Sequence, residues 1–136
     1  MTIGFVVHRA RRLLWVLALL VSTGAVAQGA VPALTGHVND QTATLSASQV
    51  AALEQTLAAF EARKGSQVAV LLVASTAPEA IEAYALRVVE QWKLGRRKVD
   101  DGVLLVIARD DKAVRIEVGY GLEGVLTDLS SRRIID

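Results

Sequence analysis

Two periodicities alternate along this chain. Val50, Leu53, Leu57 and Phe60 recur at the spacing of one helical face. Ser46 stands at its start, and Gln49 three positions later completes the spacing of a capping box. Gly65 falls where a left-handed cap would close the helix. QVAVLLVA, residues 67–74, is continuously apolar and β-branched, the pattern of a strand covered on both faces. Thr76 and Glu79 repeat the capping spacing, with Pro78 tolerated in a first turn. They predict a second helix with Ile81, Tyr84, Ala85, Val88 and Trp92 along one stripe and Gly95 at its end. VLLVIA, residues 103–108, is a second fully apolar strand, and RDDK after it reads as a tight turn. Val114, Ile116 and Val118 then alternate with Arg115 and Glu117, as in a strand with one wet face or an edge position. Thr127 or Asp128 caps a last helix.

The two strong strands flank a helix and are expected to be parallel, joined by a right-handed crossover. The third strand returns antiparallel to the second, giving a mixed sheet with helices packed on it. A lead-in, residues 28–45, holds a short strand around His37 and Val38. The main α/β domain runs over 46–136, and because the chain stops inside a helix, a longer domain is expected.

The first 27 residues differ from the rest. His8, Arg9, Arg11 and Arg12 precede the apolar run Leu13 to Val21, and Ala25 to Ala27 forms a small-x-small cleavage pattern. These are the three parts of a secretory signal peptide, although retention as an N-terminal anchor is the alternative. The segment carries three of the 15 basic residues and none of the 14 acids. Without it the acids exceed the bases by two, so the basic balance of the whole chain gives no support to nucleic-acid binding. There is no cysteine, which excludes disulfides and thiolate metal sites.

Gly119, Gly121 and Gly124 spell G-x-G-x-x-G. A dinucleotide site needs a buried parallel strand before the glycines, a helix after them and an acid about 20 residues on. Here they follow an alternating hairpin strand, and Glu123 and Asp128 would repel a pyrophosphate. No nucleotide cofactor is expected. The glycines instead let the backbone turn where a side chain would clash. They would bring Glu123 and Asp128 to the mouth of the sheet, within reach of Asp100, Asp101 and Asp40. Carboxylates gathered without thiols or imidazoles favour a hard cation: calcium, magnesium or manganese. His37 is the only histidine after the signal segment, so a histidine-based zinc site has no second ligand. Plainer roles stand beside these: a turn for Asp100 and Asp101, a turn for Asp40, a helix cap for Asp128, and a solvated charge run for Arg96, Arg97 and Lys98. Asp110 and Asp111 fit hairpin-turn chemistry. The serines have no base beside them for a hydrolase triad.

VNDQTATLS, VDDGVLLVIA, RIEVGYGLEGVLTD and RIID stand here in one order, and together they resemble the TPM domain. The resemblance covers residues 31–136 and implies a three-layer α/β/α sandwich around a small mixed β-sheet. It also implies metal-binding positions at Asp40, Asp101, Glu123 and Asp128, with Asp100 as a neighbour, since Asp100-Asp101-Gly102 stands where the family commonly has Asp-Asn-Gly. Its bacterial members are exported and often continue into a membrane helix, which implies a place in the periplasm or on the outer face of the inner membrane. Three readings follow: an envelope accessory domain with a calcium-like site working on a protein partner, a metal-dependent acid phosphatase, or an interaction domain without metal.

Overall fold

A computed structural model describes residues 29–136; the expected signal peptide over residues 1–27 lies outside them. Four strands and three helices follow in the order β1 (Val38–Asp40), α1 (Ala47–Lys64), β2 (Gln67–Val73), α2 (Ile81–Trp92), β3 (Gly102–Ala108), β4 (Ala113–Val118) and α3 (Asp128–Ile135), with one 3-10 turn at Tyr120–Leu122. The sheet order is β1-β2-β3-β4. β1, β2 and β3 are parallel, and β4 returns antiparallel to β3 at one edge of the sheet. This is the expected mixed α/β sheet, with which three layers are compatible.

The core forms where α2 packs on the sheet. Tyr84, Ala85, Val88 and Trp92 are buried against Ala69, Leu71 and Val73 of β2 and Leu104, Val106 and Ala108 of β3. The stripe on α2 is therefore the one its 3.6-residue spacing requires. Trp92 Nε1–H donates to Pro32 O at 2.8 Å, and Arg87 donates to Gly29 O at 2.8 Å. These two bonds strap the lead-in along the helix.

α1 is held differently. Its capping box is formed by Ser46 and Gln49, and Gly65 closes it at φ 79°. Yet none of its 18 residues is buried. Leu53 is 41% exposed, and Val50, Leu57 and Phe60 are only half-buried. Its polar grip on β1 compensates, as described below.

One helix start departs from expectation. α2 begins after Ala80 without a side-chain cap. Thr76 and Glu79 close a turn instead: Glu79 N–H donates to Thr76 O, and Thr76 Oγ1–H donates to Glu79 O. With its carboxylate on Arg87 at 2.7 Å, Glu79 supports the side of the helix rather than its first amides. The helix ends on Lys93 at φ 52°, two residues before the predicted Gly95.

Candidate functional site

The antiparallel return of β4 decides where the acids lie. Val118 pairs with Val103, and Gly119 N–H donates to Gly102 O at 2.7 Å. The glycine loop after β4 therefore starts at the amino ends of β2 and β3, not at the carboxyl-end mouth expected from the sequence. Asp40 ends β1 beside Leu72, which pairs with Ile107. At about 3.3 Å per strand residue, that end lies roughly 17 Å from Gly102.

Asp40 and Asp101 are both occupied by the fold. Asp40 Oδ1 accepts from Thr42 N–H at 2.9 Å and Thr42 Oγ1–H at 2.7 Å, and Oδ2 accepts from Leu45 N–H at 2.8 Å. Burial pushes its carboxyl up, but the bonds from Leu45 and Thr42 outweigh that and hold it below the usual range. Asp101 is 2% exposed. Its Oδ1 accepts from Arg96 N–H at 2.7 Å, and its Oδ2 takes the Arg96 side chain through Nε at 2.7 Å and an Nη at 2.6 Å. The guanidinium bonds hold the Asp101 carboxyl below the usual carboxylate range. Asp100 contributes backbone: at φ 51° it turns the loop, and its carbonyl accepts from Gly121 N–H at 3.0 Å.

The glycines split by role. A Cβ on Gly119 would lie 2.1 Å from Asp100 O, and one on Gly121 would lie 1.8 Å from Val99 O. Both are required by the close passage of this loop over residues 99–100, as the clash argument anticipated. A Cβ on Gly124 would meet nothing within 4 Å.

Glu123 and Asp128 share a lining. They line a cleft of ≈ 600 Å³ along β4, with Arg115, Glu117, Leu126 and Thr127. A second hollow of ≈ 280 Å³ adjoins it between Glu82, Arg115, Asp128 and Arg132. Arg115 Nη lies 3.1 Å from Glu117 Oε2, so two of the cleft's charges are paired. Thr127 Oγ1 caps α3 by accepting from Ser130 N–H at 3.2 Å, so Asp128 is not the cap residue. Among the described residues, no three His, Asp or Glu side chains are grouped to hold a metal ion. Of the four acids expected at a site, two share a cleft, and Asp40 and Asp101 are absent from its lining.

Two polar clusters escaped the sequence reading. His37 lies between Glu54 and Glu61 of α1 at 2.6 Å from each. The signal was two acids seven residues apart, two turns of helix, beside the half-apolar stripe of α1. Asp111 ties the β3–β4 turn to the start of the α2 loop, accepting from Ser75 Oγ–H at 2.6 Å and Thr76 N–H at 2.9 Å. Those bonds, Ser75 first, hold Asp111 below the usual carboxylate range.

A similar domain has been solved from P. gingivalis, the N-terminal domain of a longer protein, with 36% identity and a TM-score of 0.68 over 74% of this chain. This chain spans 64% of that domain's length. The N-terminal domain of the cg2496 protein of Corynebacterium glutamicum shares the fold at 14% identity, with a TM-score of 0.58 over 81% of this chain and 68% of its own. No curated protein matches. The TPM-domain family model matches residues 38–136, from β1 to the last residue, and the chain belongs to that family.

Proposed function

We propose that this protein is an exported envelope accessory domain whose cleft along β4 takes a hydrated divalent cation of the calcium type and presents it to a protein partner. The observation that carries the reading is that Glu123 and Asp128 line one ≈ 600 Å³ cleft. Among the described residues, neither carboxylate has a hydrogen-bond or ion-pair partner. Two hard oxygen donors suit calcium or magnesium better than a soft metal. Two are also few, so water and backbone oxygens would complete the shell. The affinity then belongs on the order of 10⁻⁴–10⁻³ M, the range of extracellular calcium modules. Export rests on the basic, apolar and small-residue parts of the first 27 residues.

Calcium titration followed by amide NMR tests the site. Resonances of residues 122–129 should shift and saturate at millimolar calcium, and Glu123→Gln with Asp128→Asn should abolish the response. A flat titration up to about 10 mM, well above that range, removes the cation from the reading.

A second reading has its own observation. Arg115 lines the same cleft, and the matching family model carries the name TPM phosphatase. In a phosphatase, Arg115 would steady a phosphoryl oxygen by a paired N–H fork while Glu123 and Asp128 hold the cation. The cation would supply charge neutralisation at the ester. Hydrolysis of p-nitrophenyl phosphate that survives unchanged in Arg115→Gln and in Asp128→Asn would assign that activity elsewhere.

A further inference from the structure

His37 stands at the entry to β1 with each ring nitrogen on a different carboxylate of α1. Nδ1 lies 2.6 Å from Glu54 Oε1, and Nε2 lies 2.6 Å from Glu61 Oε2. A neutral imidazole has one N–H. Whichever nitrogen kept it, the other would turn a lone pair toward a carboxylate oxygen. With both acids ionised, both contacts are attractive only when both nitrogens carry protons. A single metal ion cannot replace those protons, because the two nitrogens face different acids.

The same carboxylate of Glu54 accepts from His37 N–H at 2.8 Å and Val38 N–H at 2.9 Å, so the ring and the strand entry are gripped together. α1 has no buried residue to hold it otherwise. The ring is 19% exposed and the two acids 36% and 39%, open enough to exchange a proton with solvent.

We propose that His37, Glu54 and Glu61 form a proton-operated clasp that fastens α1 to β1 while the imidazole is charged and loosens it when the proton leaves. Among the described residues, the charged groups meeting the ring are Glu54 and Glu61. β2, which flanks β1, carries no titratable side chain from Gln67 to Val73. Asp40 turns its carboxylate to Thr42 and Leu45. The bond to Glu61, against the opposing effect of burial and with help from Glu54, raises the histidine above its ordinary value of 6.5. A raised folded value means that the fastening is fully present below the unfolded value and is lost as pH rises through the folded one. Each unit of that upward displacement is a tenfold change in the opening equilibrium of α1.

The test uses the full chain, with imidazole nitrogen NMR across pH and hydrogen exchange corrected for its intrinsic pH dependence. Below pH 6.5 both ring nitrogens of His37 should carry protons, and its titration should lie above 6.5. Glu61→Gln, which removes one ring contact and leaves the backbone grip of Glu54, should lower that titration. Protection of α1 amides should fall through the same pH window while β3 amides hold, and His37→Gln should erase this dependence. A ring titrating at or below the ordinary value overturns the proposal. So does α1 protection that follows the same pH course in His37→Gln as in the natural chain.

Discussion

At the scale of single residues, the two sides of the Arg96–Asp101 pair are unequal. Asp101 has a side chain only 3% exposed, whereas that of Arg96 is 57% exposed. Removing the arginine side chain leaves a buried carboxylate with only the Arg96 N–H, and leaving such a group under-satisfied costs about 1–3 kcal/mol. Asp101→Asn keeps an oxygen for that N–H and releases Arg96 to water, so its cost belongs near 1 kcal/mol. Urea unfolding at pH 7 should therefore rank Arg96→Ala below Asp101→Asn in stability. The reverse order would mean that the carboxylate reaches water after all. The sequence concealed this pair because five residues match neither a helical nor a strand period. Only left-handed backbone at Lys98 and Asp100, φ 70° and 51°, folds the loop back so that the two meet. Arg96 then leaves the solvated charge run to which its neighbours in sequence assigned it.

At the scale of elements, what was legible was local. Capping of α1 is decided within a few residues and formed as written; β4 formed as a strand, but Val114 on its expected apolar face is 39% exposed. Thr76 and Glu79 had the same cap spacing but were drawn to each other's backbone and to Arg87, so the spacing alone overstated the start of α2. The glycine loop makes a sharper contrast within one motif. Gly121→Ala would place a methyl 1.8 Å from Val99 O, and backbone there must move; overpacking of this kind costs about 1–3 kcal/mol. Gly124→Ala meets open space, and a less flexible unfolded chain should leave it neutral or up to about 1 kcal/mol more stable. Thermal melts of the two variants should move apart. Equal melts would show that residues 99–100 yield without cost, and that the glycines are not there for close passage.

At the scale of the whole molecule, the hairpin between β3 and β4 reverses the chain and separates acids that the sequence alone places in one mouth. Antiparallel pairing was readable from the alternation after RDDK, but its consequence is a property of the assembled sheet: Asp40 at one end, Asp101 and the glycine loop at the other. The same distribution predicts how stability depends on pH. Asp101, Asp40, Glu54 and Asp111 all lie below their ordinary values in the folded protein. Groups of this kind contribute above the unfolded value near 4 and are lost as pH falls through the lower folded value. His37 works in the opposite sense, contributing below 6.5 and fading above it. Stability should therefore peak between about pH 4.5 and 6.5, with an acid limb owed to four carboxylates spread over both ends of the sheet and an alkaline limb owed to one imidazole. Melting temperatures from pH 3 to 9 should fall on both sides of that plateau. In His37→Gln the alkaline decline should flatten while the acid decline persists, because Asp101 and Asp40 do not touch the ring. If the alkaline limb survives the substitution unchanged, another group titrates there, and the link between the one histidine and the one weakly buried helix is broken.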